Sequence, residues 1–203
     1  MRGNKVPRMR SVIVISLAAL LAFPVAGSAQ TTGPRASSLA APDREGRLNE
    51  LFAELKRAGS EPAAQRIAGR IRQEWARSGS ASIDLLMQWA QKAADEEKND
   101  VAMDFLDQVI VLAPDYAEGW NRRATLHYAM DDFDKSLSDI RRTLQLEPRH
   151  FGALAGMAAI LRDDGDREAA IRAYERLLDV YPMMRSAQTE LGKLADETVG
   201  QRI

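Results

Sequence analysis

The sequence predicts an all-α fold of repeated antiparallel helix pairs, and three observations carry that prediction. Pro114, Pro148 and Pro182 stand 34 residues apart. Residue types recur in step between them: Leu86, Trp120 and Leu154 share one place, and Ala90, Ala124 and Ala158 a second. Ala102, Ser136 and Ala170 share a third place, and Leu106, Ile140 and Tyr174 a fourth. Within each stretch the apolar residues fall three and four apart, the spacing of one helix face, and each proline stands where a helix has to stop.

Taken in order, the chain opens with Arg2, Lys5, Arg8 and Arg10 and no acid, followed by a nearly continuous apolar run from Val12 to Ala26 and by Gly27-Ser28-Ala29. This is the layout of a secretory leader, so residues 1–29 are expected to be a cleavable signal peptide. The apolar run, interrupted by Pro24, is about 15 residues long, short of the roughly 20 that a spanning helix requires. No membrane span is expected after cleavage. Residues 30–46 are rich in Pro, Gly, Ser and Ala without apolar period and read as a flexible linker.

From residue 47 to 82, Leu48, Leu51, Phe52 and Leu55 form one helical stripe. After Gly59-Ser60-Glu61-Pro62, the residues Ala64, Ile67, Ala68, Ile71 and Trp75 form another. This segment reads as a degenerate helical hairpin of repeat size that lacks the proline signature. Three clear repeats follow at 83–116, 117–150 and 151–184. Their helix pairs are expected near 83–95 and 99–112, 117–130 and 133–146, and 151–163 and 167–180. In the last pair, Gly165 suits the left-handed backbone that ends a helix and Asp166 suits the cap of the next. Asp131 takes the strained role in the middle pair, which short polar side chains tolerate. Residues 185–203 form the end helix and tail, with Ala187, Leu191 and Leu194 on one face and polar residues elsewhere, as the exposed end of an array requires.

Composition bounds the function classes. The chain has no cysteine, which excludes disulfides, thiolate metal sites and a lipid-modified cysteine. Its formal net charge is −1, and loss of the leader's four basic residues brings the remainder to about −5, a poor balance for binding nucleic acid or anionic lipid. Arginine and alanine are abundant, pointing to a bacterium with a GC-rich genome. The expected location is therefore the periplasm or the medium. His127 and His150 are the two histidines, and no nucleophile motif, phosphate loop or metal-ligand spacing accompanies them. No catalytic residue, cofactor or metal is expected. Asp163-Asp164-Gly165-Asp166 lacks the alternating acids and late glutamate of a calcium loop and reads as a turn between helices.

The period, the small residues and the closing prolines resemble the tetratricopeptide repeat (TPR) pattern, strongly over 83–199 and weakly over 47–82. The resemblance implies a right-handed superhelical array of antiparallel helix pairs, a TPR solenoid whose first helices line a concave groove. It also implies the groove-facing residues: Met87, Gln91, Asn121, Arg122, Thr125, Tyr128, Ala155, Ala159 and Arg162, with Asp84, Ala94, Glu118 and Gly152 beside them. The small residues around Ala155 and Ala159 beside Tyr128, flanked by Asn121, Arg122 and Arg162, suggest a shallow apolar seat for an extended peptide or partner helix. They serve equally to permit tight curvature of the array. The family's clamp for acidic chaperone tails falls on Met87, Gln91, Arg122, Gly152 and Gly156, where most of its donors are missing.

The function expected from these readings is binding of a protein or peptide by a non-enzymatic, monomeric envelope adaptor or assembly factor. The alternative is a self-associating structural protein that pairs through its N-terminal hairpin or end helix. Packing gives the first test. Ala124 and Ala170 let paired helices approach, while Trp120 and Tyr174 fill the space around the crossing, so that Trp120→Ala is expected to cost about 3 to 5 kcal/mol. Ala124→Leu or Ala170→Leu should cost about 1 to 3 kcal/mol by overpacking, read from the urea midpoint.

Overall fold

The computed structural model describes residues 44–200, with side chains to residue 196. The expected leader and nearly all of the expected linker lie outside them. The described residues form a succession of helices: α1 (Arg44–Arg57), α2 (Glu61–Trp75), α3 (Ala81–Asp95), α4 (Asn99–Leu112), α5 (Ala117–Ala129), α6 (Phe133–Leu146), α7 (Phe151–Asp163), α8 (Arg167–Val180) and α9 (Arg185–Gly200). Helix α1 begins at Arg44, inside the stretch whose composition reads as linker. Glu45 in its first turn suits the positive end of the helix, and the Arg44 guanidinium donates to the Trp75 carbonyl.

Helices α3 and α4, α5 and α6, and α7 and α8 pack as antiparallel pairs. Their crossings fall on the small residues of the 34-residue register. Ala90, Ala102, Ala124, Ser136, Ala158 and Ala170 are all buried, as are Leu106, Ile140 and Tyr174. At the middle crossing the Ser136 hydroxyl donates to the Ala124 carbonyl at 2.8 Å, so the polar replacement for alanine is satisfied where it is buried. The turns repeat as well. Glu97, Asp131 and Gly165 stand 34 residues apart, all at positive φ (59°, 60° and 82°), and Asp166 accepts the Ala169 amide as a cap. Only the third unit places glycine where the left-handed backbone favours it.

The closing prolines act through their carbonyls as well as their rings. Pro114 O accepts from the Trp120 indole at 2.9 Å, Pro148 O from Arg176 at 3.0 Å, and Pro182 O from Gln188 at 2.7 Å. This relocates Trp120. Rather than filling the helix crossing, its ring lies half-buried on the loop between Arg123 and Arg142, whose guanidinium carbons stand 5.1 and 5.9 Å from its centre. Gly119 supplies the close approach instead, since a Cβ there would lie 2.8 Å from Val109 Cγ1 where α5 meets α4.

The N-terminal hairpin is present, but it does not occupy the position of a further stacked unit. Helix α2 packs little against α3, whereas α1 reaches α8. The buried stripe Leu48, Phe52, Leu55, Ile71 and Trp75 joins the cluster that contains Leu144, Phe151, Leu154, Leu177 and Tyr181. The hairpin thus runs along the edge where each pair hands over to the next. Tyr116 donates to the Ala76 carbonyl at 3.0 Å, Trp75 stacks on His150 at 4.1 Å, and Arg185 meets Glu61 at 2.9 Å. Arg149 covers the Phe52 ring at 4.4 Å and bonds Asn49 at 2.7 Å. After α4, α6 and α8 a proline turn sets the next helix alongside. The link after α2 has no proline and is held instead by Asp84, which accepts from the Ser78 amide and hydroxyl.

These positions lower the cost expected for Trp120→Ala and place the larger one on Trp75. Trp75→Ala should cost about 3 to 5 kcal/mol and Trp120→Ala about 1 to 2, measured by urea denaturation. The opposite order would be incompatible with a docked hairpin.

Candidate functional site

A cleft forms where the first helices α3 and α5 diverge above α4, because residues facing across it are small. Ala90, Ala94 and Ala129 leave space that Met87, Leu106 and Leu126 line, with Gln91, Asn99, Arg122 and Thr125 around it. Its volume is about 170 Å³. An apolar floor with a few polar groups at the mouth suits one apolar side chain of a chain lying across it. Arg122 borders the cleft without being available as a bare charge. Its Nε donates to Glu118 at 2.7 Å, and its Nη1 donates to Gln91.

Glu118 anchors this corner from beneath. It is buried, and it accepts from Arg122, from Asn121 at 3.3 Å and from His150 at 3.1 Å. The Ala153 amide donates to His150 Nδ1 at 3.1 Å, so Nε2 carries the hydrogen given to Glu118. Burial disfavours the Glu118 carboxylate, but the hydrogen bonds from His150 and Arg122 override it and hold the carboxyl below its ordinary value of 4.5. Since Trp75 stacks on the same imidazole, the hairpin, the α7 N-terminus and the cleft rim meet on one polar chain. A second carboxyl lies on the hairpin side. Burial opposes ionisation of Glu147, but hydrogen bonds from Arg149 keep it low, with the Trp75 indole nearby though outside hydrogen-bond geometry.

Of the groove residues expected from sequence, Met87, Gln91, Arg122 and Thr125 come together at the cleft, and Asn121 lies next to them through Glu118. Ala155 and Ala159 are half-buried on α7, with Ala155 packed against the main core. Arg162 and Tyr128 go elsewhere, and no single seat unites them with Ala155. Arg162 is held by Asp163 at 2.8 Å and Glu190 at 2.9 Å, in a polar hollow with Gly165, Glu168 and Lys193. Tyr128 packs edge-on against Phe133 at 5.5 Å near the turn into α6. Sequence reasoning missed Leu106 and Leu126 as cleft walls, as well as the link from Gln91 to Arg122. The place shared by Gln91 and Thr125, 34 residues apart, was the available signal.

His127 is buried near Asp132 and Asp139, at 4.0 and 3.9 Å, beside an ion network in which Arg123 joins Asp139 at 2.7 Å and Asp107 at 2.8 Å. Burial lowers its pKa despite the neighbouring Asp139. No group of three or more histidine and carboxylate side chains among the described residues is arranged to hold a metal ion. No helix among the described residues is long and apolar enough to cross a membrane.

Paired helices on a 34-residue step, stacked unit on unit around a first-helix cleft, define a helical-repeat solenoid. No protein-family model matches the chain. A TPR repeat-containing protein of Rhizobium etli is 54% identical over 156 residues, covering 77% of this chain and 76% of that protein. The chain belongs to the tetratricopeptide repeat family. It also resembles the Small glutamine-rich tetratricopeptide repeat-containing protein 2 of Saccharomyces cerevisiae, 23% identical over 117 residues, which are 58% of this chain and 34% of that protein. Among solved structures, the first TPR of Spaghetti (RPAP3) bound to an HSP90 peptide has a TM-score of 0.55 at 22% identity, covering 58% of this chain and 93% of that one. The Sgt2 TPR domain from Aspergillus fumigatus gives 0.55 at 18%, covering 61% and 83%. The TPR2B domain of yeast Sti1 in complex with an Hsp70 peptide gives 0.53 at 14%, covering 58% and 99%.

The depressed carboxyl of Glu118 makes a prediction about acid. A group whose folded pKa lies below its unfolded one adds stability above the unfolded value, and that contribution disappears as pH falls through the folded value. The thermal midpoint should therefore drop below about pH 4.5 more steeply in the wild type than in Glu118→Gln, followed by circular dichroism. Parallel curves would remove Glu118 from the polar chain.

Proposed function

We propose that the protein is an exported adaptor or assembly factor of the bacterial envelope that binds a protein or peptide segment in the cleft between α3 and α5. The apolar floor walled by Met87, Leu106 and Leu126, with polar groups at its mouth, is the observation that carries this reading. It takes one apolar side chain of the ligand, and the exposed Thr125 hydroxyl at the mouth can accept from the ligand's main chain. The HSP90 and Hsp70 peptides bound by two structurally similar domains support peptide binding as a use of this fold. They do not extend to acidic chaperone tails here, because Arg122 is already engaged by Glu118 and Gln91 while Gly152 and Gly156 offer no donor. Export rests on the basic and apolar N-terminal segment ending at Ala29.

Peptides selected by display against the purified chain test the cleft. Thr125→Arg, a change at an exposed position, should weaken them by about tenfold or more, and Tyr128→Ala with Arg162→Ala should leave them unchanged. Loss confined to the second variant would move the site away from the cleft.

A further inference from the structure

Among the described residues, the start of the array carries an exposed apolar face. Trp89 and Phe105 lie 5.6 Å apart on α3 and α4, and Trp89 is 46% exposed, Val101 44% and Leu85 42%. The register explains why this face exists. Arg123 and Asp139 stand 34 residues beyond Trp89 and Phe105. In the second unit Arg123 bridges Asp139 to Asp107 of α4, so the corresponding places are charged and engaged by the preceding unit. In the first unit the corresponding places are aromatic, and the hairpin that could have covered them lies along the loop edge of the array instead. An indole and a phenyl ring left open beside each other are a recognition surface rather than scattered apolar residues.

We infer that this face pairs two copies of the chain across a two-fold axis, Trp89 against Trp89 or Phe105. The charge of the rim selects a second copy as the occupant. Lys92, Glu96 and Lys98 ring the hollow, so the rim carries both signs of charge and complements itself when rotated by half a turn, as an isologous interface requires. The Glu96–Lys98 pair within one chain, at 2.7 Å, can exchange partners across that axis. Head-to-tail addition is disfavoured because the other end of the array presents α9, whose exposed described residues are mostly polar and include no large apolar side chain: Arg185, Ser186, Gln188, Thr189, Lys193 and Asp196, with Gly192 and Ala195 between them. The inferred dimer is an alternative to the monomer expected from sequence. Neither the hairpin nor the end helix makes the contact, and both clefts are left open.

Sedimentation equilibrium of the full-length chain, expressed with its own N-terminus and purified as the cell processes it, tests the inference across roughly two decades of concentration. The mass should rise from one chain to two and stop there. Trp89→Glu should hold it at one chain, while Thr125→Arg in the binding cleft should leave the rise unchanged, which separates this face from the peptide site. Circular dichroism confirms that the variant folds, and Val101→Lys replaces it if it does not. A single-chain mass at every concentration, continued growth beyond two chains, or a dimer that survives both substitutions would overturn the proposal.

Discussion

Two helices can lie close along a stretch of their length only if neither carries a bulky side chain where they cross, and the rest of this structure depends on that constraint. Ala90 with Ala102, Ala124 with Ser136, and Ala158 with Ala170 meet it three times. Each close crossing makes a thin, rigid pair, and the pairs stack through the larger residues that surround the crossing. The spacing of the first helices then follows, and with it the space between α3 and α5. A cleft of this kind is a by-product of packing. Its chemistry comes from the residues that line it.

The array and its pairs were legible in the sequence because a period records the same packing problem solved several times. Met87, Gln91, Arg122 and Thr125 could be placed together for the same reason, since neighbouring first helices present equivalent faces. What the period could not convey is any contact made once. Trp75 stacking on His150 joins residues 75 apart in number that share no register. His150, which the period leaves outside the expected helices, is an N-cap that links the hairpin to Glu118. Trp120 shows the converse error. It shares a place with Leu154, which is fully buried, but an indole has an N–H to satisfy, and it turns outward to the Pro114 carbonyl. The partner that holds Arg162, Glu190, sits on the end helix outside the repeats, so the period could not show it.

Polar groups add to the apolar packing at the seam between hairpin and array. Glu118, His150, Glu147 and Arg149 satisfy one another and leave the rings of Trp75, Phe52 and Phe151 to exclude water around them. Buried hydrogen bonds of this kind contribute modestly to stability when complete and are costly when broken. They also help fix where the hairpin sits, because a shift along the loop edge would break them.

The hairpin's course has a further consequence for how the chain folds. In a simple solenoid each unit touches only its neighbours, so stability is nearly a sum of local terms and either end can fray alone. Here Asn49 meets Arg149 and Glu61 meets Arg185, contacts that span 100 and 124 residues. Closing such long loops slows folding, since their entropy is lost before the contacts form. Once closed, they tie the last unit to the first residues of the domain. The domain should then unfold as one cooperative body, unlike an open row of repeats.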